Sequence, residues 1–101
     1  MNYTEYVIPL GENTRKRHCH EVEKGNVVSF CVQLEVFVNG KWHAVIRYDS
    51  AHGFAHVDKY YLDGRKFKRE LYLNLNEALT LGDEDIKENW KDYQKAFLEG
   101  K

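Results

Sequence analysis

Residues 26–49 read NVVSFCVQLEVFVNGKWHAVIRYD. The first half alternates, placing Val28, Phe30, Val32, Leu34, Val36 and Val38 on one side of an extended chain. The second half alternates too, through Trp42, Ala44, Ile46 and Tyr48. A period of two belongs to a strand with one buried face. Asn39-Gly40 between the halves is the dipeptide most characteristic of a tight β-hairpin. This stretch therefore commits the chain to an antiparallel sheet.

Its register follows from which residues must face each other. A two-residue turn at Asn39–Gly40 pairs Val36 with His43 and Leu34 with Val45, setting the even apolar set against an odd polar one. A three-residue loop with Gly40 in a left-handed bulge pairs Val36 with Trp42, Leu34 with Ala44, Val32 with Ile46 and Phe30 with Tyr48. Only the second makes one face consistently apolar, so it is the expected register. The other face then carries Gln33, Glu35, His43, Arg47 and Asp49, with Glu35 across from His43 and Cys31 across from Arg47.

Downstream, AHVDKYYL (55–62), a turn at Asp63–Gly64 and RKFKRELYL (65–73) form a second hairpin signal. Both turn lengths leave its faces mixed, but His56, Asp58 and Tyr60 share a side either way. Residues 74–100, NLNEALTLGDEDIKENWKDYQKAFLEG, are helical. Asn74 or Asn76 caps a short first helix that Gly82 ends, and Asp83 opens a second whose first turn is acidic. Ile86, Trp90, Tyr93 and Phe97 form an apolar stripe that packs on the sheet. Residues 1–24 are polar and mixed, hold the only proline, Pro9, and are expected to be an irregular arm, with at most a short strand over Tyr3 to Ile8. The expectation is an α+β fold: a four-stranded antiparallel β-meander with C-terminal helices packed on one face, forming a single domain over residues 25–101.

Composition excludes several classes. A chain of 101 residues, 43% hydrophobic and 14% aromatic, holds one core and is not a disordered chain. No apolar run approaches the roughly 18 residues of a membrane helix, and the N-terminus lacks a signal-peptide pattern, so a cytoplasmic location is expected. Cys19 and Cys31 are too few for a disulfide framework and are read as free thiols. Net charge is −1, but residues 1–69 carry 11 Lys+Arg against 8 Asp+Glu, and residues 70–101 carry 4 against 8. The basic density lies in RKR (15–17) and GRKFKR (64–69), where Arg65, Lys66, Lys68 and Arg69 are candidates to track an RNA backbone.

The chemistry gathers in VIRYDSAHGFAHVD (45–58). Asp49, His52, His56 and Asp58 suit three roles. Two imidazoles and two carboxylates can ligate Zn²⁺, Mn²⁺ or Fe²⁺, although their spacing matches no established ligand pattern. A histidine pair with Arg47 supplies what metal-free cleavage of RNA through the 2′-hydroxyl requires. The same residues also hold a loop together by bonding to nearby amides. Arg47 and His52 spell R-x4-H across a strand end and a loop, without the helical geometry that gives that spacing meaning. His18, Cys19 and His20 in RKRHCHE lack a second cluster to complete a zinc site.

Tyr48, Asp49, Gly53 and His56 fall on a pattern that resembles the TumE-type toxins of bacterial and archaeal toxin–antitoxin modules, over roughly Gly25 to Leu73. The run Arg47-Tyr48-Asp49, His52-Gly53, His56 and Asp58, with Asn89-Trp90 and Tyr93 on the last helix, also looks like a small uncharacterised family of archaeal and bacterial proteins with an RYDxxHGxxHxD core. The toxin resemblance implies an RNA-directed activity and an antitoxin-like protein partner. The expected function is thus a toxin-like, metal-independent ribonuclease. In it His52 and His56 act as acid and base, Arg47 binds phosphate, and Asp49 or Asp58 orients a histidine; no cofactor or metal is expected. The alternative is a non-catalytic protein-interaction or self-associating module, with a metal-dependent hydrolase third.

Overall fold

The computed structural model describes residues 2–100. Six strands run in chain order: β1 (Asn2–Gly11), β2 (Thr14–Glu23), β3 (Asn26–Val38), β4 (Lys41–Asp49), β5 (His56–Tyr60) and β6 (Lys66–Glu70). They form one antiparallel sheet in which every strand pairs with its sequence neighbours, and a single helix, α1 (Leu75–Glu99), follows. The fold is α+β with an antiparallel sheet, but it has six strands rather than four. The two extra strands come from the segment expected to be an irregular arm, and the short strand expected over Tyr3 to Ile8 lies within β1. Its alternation is real but polar: Arg15, Arg17 and Cys19 take one side, and Lys16, His18 and His20 the other. Hydrophobic periodicity cannot register such a strand, and pairing with β3 is what holds it.

The β3–β4 hairpin closes by a two-residue turn, not the three-residue loop. Val38 pairs with Lys41, and both Asn39 and Gly40 have positive φ (54° and 82°), the signature of a type I′ turn. Such a turn alone would place the even apolar side chains of β3 against the odd polar ones of β4. The conflict is relieved further along, where Leu34 pairs with Ile46 but Glu35 pairs with Ala44, leaving Val45 as an extra, bulged residue. Beyond the bulge the parity is reset: Ile46 and Tyr48 join Leu34 and Val32 on one face, and Arg47 and Asp49 take the other. Before it the sides exchange relative to expectation. His43 turns to the helix side, against Phe97, and Trp42 goes to the opposite face under Arg15. Cys31 accordingly faces Asp49 rather than Arg47.

The helix lies over β3 and β4. Asn74 caps it, accepting a bond from the Glu77 amide (2.8 Å), and Gly100 ends it in the left-handed region. It does not break at Gly82, as the sequence reading expected. That glycine lies inside the helix and faces the Tyr48 ring, where a Cβ would come within 2.8 Å of the ring. The glycine is kept for close approach, not termination. Ala78, Gly82, Ile86 and Phe97 are buried, with Trp90 and Tyr93 beside them, against Val32, Leu34, Val36, Ile46 and Tyr48. The Tyr48 and Tyr93 hydroxyls both donate to Asp85 Oδ2 at 2.6 Å, tying sheet to helix. Burial, and then the Asp85 carboxylate, push both phenols well above their ordinary range, so they stay protonated donors.

Gly82→Ala sets two effects against each other. Alanine gains about 1 kcal/mol in helix propensity, while overpacking against the Tyr48 ring costs about 1–3 kcal/mol. The clash is with a buried ring whose hydroxyl is tied to Asp85, so the substitution is expected to lower the urea midpoint of the whole chain. A raised midpoint would show that the helix can move away from the sheet freely.

Candidate functional site

The helix covers one face of the sheet. The other face carries polar and charged side chains from all six strands, and strand pairing lays them out in rows. Cys19, Cys31, Asp49, His56 and Glu70 form one row; Arg17, Gln33, Arg47, Asp58 and Lys68 form the next. A sheet face this polar is stable only if its groups satisfy one another.

They do so as a relay. Glu35, 6% exposed, is held by Arg15 Nε (2.6 Å), Arg17 Nε (3.2 Å) and the Gln33 amide. Burial raises the Glu35 pKa, but the bonds from Arg15, Gln33 and Arg17 outweigh it and hold the carboxyl below its ordinary value. Gln33 in turn accepts from Arg47 Nε at 2.6 Å. Arg47 stands 3.9 Å from Asp49, and its guanidinium lies 5.6 Å from the Tyr60 ring centroid, with Lys66 at 5.4 Å from the same ring. Burial pushes the Tyr60 phenol up, with Arg47 opposing.

At the end of the relay sits a buried centre. Asp49, His56 and Asp58 are 7%, 1% and 3% exposed. Asp49 and His56 are direct cross-strand partners on β4 and β5, and Asp58 is two residues along β5, on the same side. Asp49 Oδ1 lies 2.6 Å from His56 Nε2, and Asp58 Oδ1 lies 3.5 Å from His56 Nδ1. Neither approach has hydrogen-bond geometry, so both ring nitrogens and Asp58 Oδ1 lack a hydrogen-bond partner. The turn Ala51–Gly53 and Phe54 stand against this centre, with the His52 and Phe54 rings 6.4 and 5.8 Å from that of His56. The Ala51 amide donates to Asp49 (3.1 Å), and the Tyr60 hydroxyl donates to Asp58 (3.4 Å).

Of the residues expected to act together, Arg47, Asp49, His56 and Asp58 meet on the uncovered face. His52 lies on the turn beside them, its ring 6.4 Å from that of His56, exposed and at φ 70°, a left-handed conformation unusual for histidine. The basic run is divided. Lys66 and Lys68 share the face with Asp58, Arg69 turns to the helix side opposite Val57, and Arg65 pairs with Asp63 in the turn (2.8 Å). Arg15, Arg17, Gln33 and Glu35 belong to the relay; of these only Glu35 is expected from sequence to mark a binding face, with His43 and Arg47, and His43 lies on the helix side instead. The signal for Arg15 and Arg17 was the charged alternation of TRKRHCHE (14–21), legible only once that segment is known to be a strand. Cys19 and Cys31 are free and directly opposite. Burial, and then Cys19, push the Cys31 thiol up to about 12, so it is not a reactive nucleophile.

A second histidine cluster lies on the helix side. His18 is buried under Tyr6, with ring centroids 4.5 Å apart, and meets His20 at 2.6 Å and Asp83 at 3.3 Å.

The chain belongs to the DUF7718 family, a domain of unknown function, whose model matches residues 1–101. No curated protein and no solved structure matches it. Among the described residues of this DUF7718 domain no helix is long and apolar enough to cross a membrane.

Burial lowers the His18 pKa, against the opposing pull of Asp83, so the unfolded chain binds a proton there more readily than the folded one. Stability is therefore full above about 6.5 and declines as pH falls through that value toward the depressed folded pKa. Glu35, whose folded pKa is also lowered, adds a second loss only below the ordinary glutamate value of about 4.5. Urea midpoints at pH 7.5 and 5.5 should differ for the native sequence and converge for His18→Gln. An unchanged difference in that variant would assign the slope to another group.

Proposed function

We propose that the uncovered sheet face binds single-stranded RNA and that the DUF7718 domain acts on the phosphodiester beside Arg47, as a toxin-like ribonuclease would. The observation that supports this most is the alternation of aromatic rings and cations there. Tyr60 lies between Arg47 and Lys66, and Trp42, 38% exposed, carries the Arg15 guanidinium 3.9 Å from its ring centroid. Aromatic groups on an antiparallel sheet stack bases, and the cations between them take phosphates.

Burial separates the roles of the two histidines. His52 is exposed and able to take the proton of a bound 2′-hydroxyl and return it to the leaving 5′-oxygen. His56, 1% exposed and enclosed between two carboxylates, is shut off from a bound nucleotide. Arg47, at the edge of that centre, is placed to hold the non-bridging oxygens as the 2′-oxygen bonds to phosphorus and the bond to the 5′-oxygen breaks. Against catalysis stands one observation: His56, half of the expected acid–base pair, is 1% exposed. It favours the second reading, an RNA-binding or protein-binding module without chemistry.

Fluorescence anisotropy with a short labelled RNA separates binding from cleavage. Tyr60→Ala is expected to weaken binding about fivefold or more, the loss of one stacked base, and Arg47→Ala to weaken it and abolish cleavage. Cleavage of a mixed RNA pool should be lost in His52→Ala. Binding without cleavage in any lane would favour the non-catalytic module, and no binding at all would remove RNA as the ligand.

A further inference from the structure

Two carboxylates buried side by side on neighbouring strands need positive charge close by. The nearest permanent cations stand off: Arg47 is 3.9 Å from Asp49 and spends its Nε on Gln33, and Lys66 is 3.7 Å from Asp58 and half exposed. Neither reaches hydrogen-bond distance of the centre. The imidazole between the carboxylates is the most enclosed polar side chain of the group, and neither of its nitrogens makes a hydrogen bond. A buried imidazole whose purpose was structural would donate one N–H and accept at the other nitrogen, usually to backbone. His56 does neither, although a carboxylate oxygen lies 2.6 Å from one nitrogen. The atoms converge without bonding to one another.

Convergence of this kind suits an ion. One ligand atom from each of Asp49, His56 and Asp58 lies within 4.8 Å of the others. A cation bound at about 2.0–2.2 Å spaces its ligands roughly 3 Å apart, inside that span. The outer contacts are those that orient metal ligands: Asp49 accepts from the Ala51 amide and Asp58 from the Tyr60 hydroxyl. All three side chains stand on paired strands, so the site is held by the sheet and not by the loop. We propose that Asp49, His56 and Asp58 bind one divalent cation of the Mn²⁺, Fe²⁺ or Zn²⁺ class, through one imidazole nitrogen and carboxylate oxygens. The donor set, one nitrogen and the rest oxygen, selects against Cu⁺, which favours sulfur, and against Ca²⁺, which favours oxygen alone. The cation meets the charge requirement that Arg47 and Lys66 only approach. The RNA reading above gives the ion a purpose, but its binding does not rest on that reading.

Mn²⁺ alone is the probe, added without RNA to the full chain after treatment with EDTA. Electron paramagnetic resonance of free Mn²⁺ should count one bound equivalent. In ¹H–¹³C spectra of histidine-labelled protein the His56 resonances should broaden first, well before those of His18 and His20. Asp58→Asn should lose at least about tenfold in affinity, while His20→Ala binds like the native sequence. No bound equivalent, equal affinity in Asp58→Asn, or broadening confined to His18 and His20 would overturn the site. If Asp58→Asn fails to fold, the His56 broadening in the native chain decides alone. Absent Mn²⁺ binding with RNA cleavage intact in EDTA would remove the cation and leave the RNA reading standing. Bound Mn²⁺ with neither binding nor cleavage of RNA would do the reverse.

Discussion

In β4 one extra residue, Val45, lets a type I′ turn coexist with an apolar core. A right-twisted hairpin favours the two-residue turn at Asn39–Gly40, and the core demands Ile46 and Tyr48 beside Leu34 and Val32. Straight pairing cannot satisfy both, because a slip of one residue sends every side chain to the other face. The bulge absorbs the odd residue. Its consequence is chemical as much as structural: without it Arg47 and Asp49 would point into the helix, and the buried centre with His56 would not exist.

The single helix accounts for the rest. It lies over β3 and β4, so the apolar residues of the sheet collect beneath it, and the opposite face is left to polar side chains. Those groups satisfy each other through a chain running from Arg15 and Arg17 through Glu35 and Gln33 to Arg47. Each link is partly enclosed by its neighbours, which makes the relay worth more than isolated surface pairs and more costly to break. At its end the pattern changes. Asp49, His56 and Asp58 approach without hydrogen bonds, and that departure from an otherwise satisfied face is what sets them apart.

The two histidine clusters show how differently one residue type is used. His18 bonds to His20 through one ring nitrogen and to Asp83 through the other, a satisfied arrangement that also draws in Lys16 and so fastens β2 to the helix. His56 has carboxylates on both sides and no bond to either. Proximity in sequence did not distinguish them: His18 and His20 belong to a denser run than His56. Burial with unmet bonding did.

Much of the architecture is legible in the amino-acid order. Alternation over residues 28–48 and the Asn39-Gly40 turn determine the central hairpin, and the spacing of Ile86, Trp90, Tyr93 and Phe97 determines a helix with one buried stripe. The shared side of His56, Asp58 and Tyr60 follows from strand period alone. Other features were decided only in three dimensions. Strands β1 and β2 carry no apolar alternation strong enough to announce themselves, and they exist because β3 offers an edge with unpaired amides. Gly82 reads as a helix end until the Tyr48 ring is found against it. The bulge at Val45 leaves no mark in composition, because an inserted valine looks like any other strand residue. Burial of His56 depends on a turn and a ring, Phe54, folding back over their own strand. Local order sets the period of each element; which faces meet, and which polar groups are then cut off from water, is a property of the whole sheet.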